Sequence, residues 1–165
     1  MPRLFIVSGS VHAGKSTISE LLLGLLPRAA HVSGDALRHF VTWLPLEESV
    51  PLTLRNIISV SSNFLAAEFD VVIDYPLSKS DYAQLSGALG EKATAVYAFV
   101  LSPRREVAQS KRGDRLLSEG EVERIAYHYH TSLHDPGFGV RIDNSDQTPG
   151  ETAAVIFGLV QSGKL

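Results

Sequence analysis

The sequence has 165 residues, of which 44% are hydrophobic, and its 15 Lys and Arg against 18 Asp and Glu give a net charge of −3. This composition indicates one folded domain of ordinary size and excludes an intrinsically disordered chain. The net negative charge disfavours binding to nucleic acid or anionic membrane through overall charge, although a local basic patch is compatible with it. The chain has no Cys, which excludes a disulfide framework, a thiolate zinc site and a cysteine nucleophile.

Apolar runs and helical spacing alternate along the whole chain. The first run lacks the features of a signal peptide and no run is long enough to span a membrane, so we expect a cytoplasmic protein. Strands are predicted at residues 4–8, 29–33, 71–74, 93–101 and 140–143. Helices are predicted at residues 15–26, 35–43, 52–69, 81–89, 104–111, 121–133 and after Thr148, with a loop at 42–51. This order predicts an α/β fold with a parallel five-stranded sheet and helices on both faces.

The segment between the first strand and the first helix reads GSVHAGKS and matches the phosphate-binding pattern G-x-x-x-x-G-K-[ST]. Glycines let main-chain amides turn inward as a positive cradle, the lysine can reach the β- and γ-phosphates, and the serine hydroxyl can hold Mg²⁺. The alternative is a structural glycine turn. The residues expected to contact the nucleotide are Gly9, Ser10, Val11, His12, Ala13, Gly14, Lys15, Ser16 and Thr17. His12 is interpreted as a loop side chain facing solvent or substrate rather than as a catalytic base.

This loop resembles that of the P-loop NTPases, and the small size and β-α order look like their nucleoside-kinase-like branch. That branch includes shikimate, gluconate and adenylylsulfate kinases, chloramphenicol phosphotransferase, zeta toxins and polynucleotide 5′-kinases. The resemblance covers the whole chain and implies a three-layer α/β/α P-loop NTPase fold over residues 1–165. It also implies ATP and Mg²⁺ as cofactors.

The residues GDALR after the second strand are similar to the D-x-x-R of this branch. By resemblance, Asp35 would accept the proton of the attacking hydroxyl, and Arg38 would orient the acceptor or the transferring phosphoryl group. A kinase needs such a carboxylate near the nucleophile and a planar guanidinium near anionic oxygens. The alternative is that Asp35 caps a helix and pairs with Arg38 on the surface.

Asp74 ends the apolar strand VVID. If this strand lies beside the first one, the carboxyl ends of the two strands meet, and Asp74 comes near the metal expected at Ser16. It resembles a Walker B aspartate that holds the metal directly or through water. The alternative is an aspartate that caps a turn before Pro76.

The run SPRREVAQSKRGDR contains a cluster of Arg and Lys residues that looks like the mobile lid of the branch. We place the lid itself at about residues 112–121, so it begins near the end of this run. We expect Arg112 and Arg115 to close over the triphosphate, with Arg112 stacking on adenine. The alternative for each arginine is a solvated basic helix. Arg124 either joins them or faces solvent.

Three further groups are weaker candidates. Residues 143–145 resemble the loop on the adenine side of these kinases. His128, His130 and His134 are interpreted as an exposed or substrate-facing helix surface rather than as a metal site. Trp43 and Tyr75 either line an acceptor pocket or belong to the packing.

These features predict a kinase that moves the γ-phosphoryl group of ATP to a hydroxyl of a small molecule, such as a sugar-like metabolite or an antibiotic. Two alternatives stay open: a polynucleotide 5′-hydroxyl kinase, and a regulatory protein that binds nucleotide without catalysis. A nucleic-acid acceptor is disfavoured by the acidic balance of charge. The sequence leaves the acceptor and the oligomeric state open.

Overall fold

A computed structural model describes residues 1–110 and 116–163. Its sheet contains five parallel strands in the order β2-β3-β1-β4-β5. The strands are β1 Leu4–Gly9, β2 Ala29–Ser33, β3 Asp70–Asp74, β4 Val96–Leu101 and β5 Val140–Ile142. The helices are α1 Lys15–Leu25, α2 Gly34–Arg38, α3 Leu46–Ala66, α4 Lys79–Leu89, α5 Arg105–Ala108, α6 Glu119–His130 and α7 Pro149–Gln161. A single 3-10 turn, Gly90–Lys92, follows α4.

Two apolar layers cover the faces of this sheet. Because side chains alternate along a strand, Leu4 and Ile6 of β1 join one layer, while Phe5 and Val7 join the other. The first layer packs against α3 and α4, and the second against α1 and α7. The three-layer α/β/α architecture expected from the sequence is thereby confirmed.

The carboxyl ends of β1 and β3 lie side by side. The two strands are paired in parallel with Val7 opposite Asp74, so the strand pairing expected for Asp74 is confirmed. In an open parallel sheet, ligands bind beyond the carboxyl ends of the strands. The loop after β1 and the carboxylate at the end of β3 therefore share one edge of the sheet.

The predicted loop at residues 42–51 is wrong, because α3 begins at Leu46 and contains Pro51. Pro51 is the sixth residue of the helix and removes one main-chain hydrogen bond. The free-energy cost of the lost hydrogen bond is offset because the apolar face of the helix, including Val50 and Leu54, packs into the core. Among the described residues, no helix combines the length and apolar character that a membrane crossing requires.

The short helix α2 also differs from its prediction. It ends at Arg38 rather than at residue 43, and its N-cap is Ser33, whose side chain accepts a hydrogen bond from the amide of Ala36. Asp35 therefore lies inside the first turn and does not cap the helix. The expected helix at residues 104–111 is reduced to Arg105–Ala108 within the described residues.

Candidate active site

The loop between β1 and α1 is a compact turn, and Gly9, His12 and Gly14 all have positive φ angles. Gly9 has a φ of 139°, and a Cβ atom there would lie 2.4 Å from the carbonyl oxygen of Leu101, so this position requires glycine. Gly14 has a φ of 94° and directly precedes α1. The first amides of a helix have no acceptor within the helix and attract anions. The protein has a hollow at this loop. The loop and the first turn of α1 contribute to its lining Val11, His12, Gly14, Lys15, Ser16 and Thr17, while Gly9, Ser10 and Ala13 are buried.

The side chain of Lys15 folds back over this loop. Its Nζ donates a hydrogen bond to the carbonyl oxygen of Ser10 at 2.8 Å, and the residue is only 7% exposed. Burial lowers the pKa of Lys15, and the negative charges of Asp35 and Asp74 counteract this effect only in part. Among the described residues, Lys15 forms no direct ion pair with a carboxylate. A buried ammonium group without a paired anion is costly, and a phosphate would relieve that cost.

Asp74 is held by two side chains from neighbouring elements. Ser16 Oγ donates to Asp74 Oδ2 at 2.5 Å, and Nε2 of His31, on the adjacent strand β2, lies 2.9 Å from Asp74 Oδ1. Burial by itself raises the pKa of Asp74, but the hydrogen bonds from His31 and Ser16, together with the electrostatic attraction of His31 and Lys15, outweigh burial, so the net pKa is lowered. Asp74 is therefore an oriented carboxylate that stays ionised at neutral pH.

The pair Ser16 and Asp74 suits a hard divalent cation. Both offer oxygen atoms, and Mg²⁺ is bound in proteins by one or two carboxylates together with phosphates and water. Ser16 lies on the exposed first turn of α1, and it contacts Asp74 directly. Within residues 1–110 and 116–163, no group of three His, Cys, Asp or Glu could hold a metal ion. A cation at this pair would therefore take its remaining ligands from a nucleotide and from water.

Asp35 and Arg38 belong to the same hollow as the loop at residues 9–16, which we call the phosphate loop after its sequence pattern. They are three residues apart on α2, so they share one side of the helix, and both line the hollow together with Lys15. Asp35 is exposed and Arg38 is half-buried. Asp35 is also close enough to Lys15 for its charge to raise the pKa of the ammonium group. The structure thus brings the expected base, the expected lysine and the expected arginine to one hollow.

The hollow has a volume of about 1420 Å³. A site for one drug-sized ligand usually measures about 300–1,000 Å³. The hollow extends from α2 and the start of α3, across the phosphate loop, to the segment that follows β5. Its volume exceeds the range for one drug-sized ligand.

The segment after β5 closes the far end of the hollow. Asn144 is buried, and its Nδ2 donates to the carbonyl oxygen of Ala13 at 3.0 Å, which ties this segment to the phosphate loop. Ser145 and Gln147 line the hollow beside it. Arg104, one of the five basic residues of the predicted lid run, instead forms a bidentate ion pair with Asp146, at 2.7 and 2.9 Å.

The helix α6 contacts the phosphate loop through a buried histidine. Nδ1 of His128 accepts a hydrogen bond from the amide of Val11 at 3.3 Å, and His128 is 7% exposed. The neighbouring loop residue, His12, is bonded through Nδ1 to the carbonyl oxygen of Ala108 at 2.9 Å. Arg124, one turn before His128, also lines the hollow. The loop is thus held between α5 and α6.

We expect acid to weaken the fold through His128. Its burial and the positive charges of Lys15 and Arg124 lower its pKa to about 4, whereas an unfolded histidine has a pKa of about 6.5. Between these two values the unfolded chain binds a proton that the folded chain does not, so stability falls as the pH drops through this window. At pH 4.5 the loss from this residue should be on the order of 2 kcal/mol relative to pH 7.

Urea denaturation at pH 7 and pH 4.5 measures this effect, with His128→Asn as the matched variant. The asparagine side chain keeps an acceptor for the Val11 amide but does not titrate. Its free energy of unfolding should therefore fall less than that of the parent protein between the two pH values. An equal loss in both proteins would contradict the assignment.

Several expected site residues lie elsewhere or outside the described residues. Arg112 and Arg115 fall outside them, as does the first part of the expected lid. Tyr75 is 4% exposed, lines the hollow and packs its ring over Gly34, whereas Trp43 is 76% exposed and is not part of the hollow's lining. His134 stacks on Tyr129, with ring centroids 4.2 Å apart.

Sequence reasoning missed the roles of His31 and His128. His128 is not exposed as one interpretation expected, because its side chain is buried against the loop. It does line the hollow, so its interpretation as a substrate-facing residue stays a prediction. The sequence did contain a signal for His31. Side chains two residues apart on a strand lie on the same face, so His31 and Ser33 share one face of β2. Ser33 is paired with Asp74, which brings His31 near that carboxylate. Using that signal required knowing that β2 lies beside β3.

No protein-family model and no curated protein matches the sequence. Solved structures do resemble it. A gluconokinase from Sinorhizobium meliloti 1021 shares 18% identity at a TM-score of 0.68, covering 99% of this chain and 94% of that one. APS kinase CysC from Mycobacterium tuberculosis shares 14% identity at 0.67, covering 97% and 98%. Shikimate kinase from Acinetobacter baumannii shares 19% identity at 0.62, covering 100% and 96%.

These structural neighbours are kinases of the P-loop type, and they match this chain over nearly its whole length. The chain therefore has the fold of the P-loop kinases, with its parallel sheet, its strand order and its loop between β1 and α1. At 14–19% identity the likeness shows the fold alone, so the reaction rests on the residues of the site.

Proposed function

We propose that the protein is an ATP-dependent phosphotransferase that moves the γ-phosphoryl group of ATP to a hydroxyl group of a small molecule. The proposal rests mainly on one observation: the buried ammonium group of Lys15 lies at the phosphate loop and near two carboxylates, Asp35 and Asp74, from different elements. The two carboxylates would suit phosphoryl transfer as well as binding, with Asp74 holding a metal and Asp35 accepting a proton. The similar Mycobacterium tuberculosis kinase was solved with AMPPNP and APS, which supports an adenine nucleotide as the donor.

The donor would lie between the phosphate loop and the segment after β5. Main-chain amides at the start of α1 would bind the β-phosphate, and Lys15 would bind the β- and γ-phosphates. Ser16 and Asp74 would hold Mg²⁺, which neutralises charge on the phosphates when bound. His31 would keep Asp74 oriented through its 2.9 Å contact. Ser145 and Gln147, at the far end of the hollow, would lie near the adenine.

The acceptor would lie on the α2 side of the hollow. Asp35 would take the proton of the attacking hydroxyl, which then attacks the γ-phosphorus while the ADP oxygen leaves. Arg38 would hold the transferring group through its guanidinium. Arg124 and the lid residues 112–121, among them Arg112 and Arg115, would close over the triphosphate and exclude water. We further propose that residues 1–165 form one kinase domain.

A screen for acceptor-dependent ADP formation tests the proposal. The full-length protein is incubated with ATP and Mg²⁺ and with neutral, cationic and anionic alcohols, sugars and antibiotics, and phosphorus NMR identifies the product. A phosphate monoester of a small molecule is expected. Transfer only to a 5′-hydroxyl oligonucleotide would instead indicate a polynucleotide kinase. Tight ATP binding without any transfer would indicate a regulatory protein.

A further inference from the structure

The acceptor end of the hollow is poor in positive charge. Among the described residues that line it, Arg38 is the one arginine or lysine from α2, α3, α4 and the end of β3, and two carboxylates, Asp35 and Asp81, line the hollow from the same elements. Asp81 also caps α4 through Ser78, so its position is fixed. An anionic acceptor is normally bound by several cations that replace its lost hydration. Here the carboxylates outnumber the cation.

Tyr75 is a buried side chain that lines the same end of the hollow. Burial raises the pKa of its hydroxyl group, and the negative charge of Asp35 raises it further, while Arg38 opposes the rise and Asp81 supports it. The same three charges therefore converge on one buried side chain. The local balance disfavours an additional negative charge.

An apolar surface lines the same end. Leu46 and Val50 are four residues apart on the first turns of α3, so they share one side of the helix, and both line the hollow. Leu46 is 52% exposed. Leu46 and Val50 therefore offer apolar area to a ligand in the hollow.

We propose that the acceptor is a hydroxyl compound with an apolar face and no negative charge, bound with that face against Leu46 and Val50 and its hydroxyl toward Asp35. Sugar acids and sulfated compounds are disfavoured as acceptors. The inference rests on the proposed function, because it names the substrate class of the same site. It adds the chemistry of the acceptor, which the phosphate loop does not specify.

A matched pair of acceptors tests the charge rule. The pair is an aromatic alcohol that carries a carboxylate and its methyl ester, which share the hydroxyl group and the ring and differ in charge and in one methyl group. Binding to the full-length protein with ADP and Mg²⁺ is measured by NMR, which requires no turnover. The ester is expected to bind at least tenfold more tightly than the acid. Equal binding, tighter binding of the acid, or no binding of either would overturn the inference.

A variant pair tests the apolar surface. Leu46→Ser should raise the KM for the ester about fivefold or more, with the KM for ATP unchanged, because it removes apolar area from the acceptor end alone. The control is Leu21→Ser, since Leu21 is 41% exposed on α1 and does not line the hollow. An unchanged KM in Leu46→Ser, or the same rise in both variants, would overturn the role of this surface.

These tests separate the two proposals. Efficient phosphorylation of sugar acids, with the ester inactive, leaves the phosphotransferase assignment intact and overturns only the acceptor class. Binding of the ester without ATP-dependent transfer to any acceptor supports the acceptor class and overturns the enzyme assignment.

Discussion

Replacing Lys15 with alanine should reduce the rate of phosphoryl transfer by about a thousandfold, since removal of one preformed charge-stabilising donor typically costs 10²–10³ and this donor carries a full charge. The side chain is buried, and within the described part of the chain its one hydrogen bond is to the carbonyl oxygen of Ser10. Its removal takes away a desolvated charge, so the free energy of unfolding should change little or rise. The measurement is kcat and KM with saturating acceptor, together with the urea midpoint.

Lys92→Ala is the matched control. Lys92 is exposed in the 3-10 turn after α4 and does not line the hollow. It should leave both kcat and KM unchanged. If Lys15→Ala retains more than a tenth of the parental kcat/KM while remaining folded, the proposed role of the ammonium group is wrong.

Replacing Asp35 with asparagine should lower kcat by about 10²–10⁴-fold, because it removes the proton acceptor while keeping the shape of the side chain. Asp35 is exposed and does not cap α2, whose cap is Ser33, so the fold should persist. Nucleotide affinity should hold or increase slightly, since a negative charge near the phosphate site is removed. Single-turnover transfer and ADP binding measure the two effects separately.

Glu20→Gln is the control for this substitution. Glu20 is an exposed carboxylate on α1 outside the hollow. The same neutralisation there should change neither transfer nor binding. A kcat for Asp35→Asn within threefold of the parental value would mean that another group accepts the proton.

The phosphate loop was predictable because its determinants are local. Eight consecutive residues, from Gly9 to Ser16, combine the end of a buried strand, two glycines with positive φ and a helix start. The position of Asp74 followed from one further step, since parallel strands place their carboxyl ends on a common edge. Neither inference needed the position of a distant side chain.

The remaining site contacts depend on pairs that are far apart in sequence. His31 and Asp74 are 43 residues apart, and Val11 and His128 are 117 residues apart. Strand order and the packing of α6 decide these contacts, and the pattern of apolar residues does not specify either. The start of α3 was missed for a related reason: burial of its apolar face overrides the local preference of Pro51, and the extra turns carry Leu46 and Val50 to the hollow.

The central claim is that main-chain amides of the loop and the ammonium group of Lys15 bind the phosphates of an adenine nucleotide. Its most direct test is an NMR titration of the ¹⁵N-labelled protein with a nonhydrolysable ATP analogue and Mg²⁺. The account predicts that the largest amide shifts fall on residues 13–17, and that Lys15→Ala strongly weakens the affinity. Shifts confined to other parts of the sheet edge, or an affinity unchanged in Lys15→Ala, would contradict it.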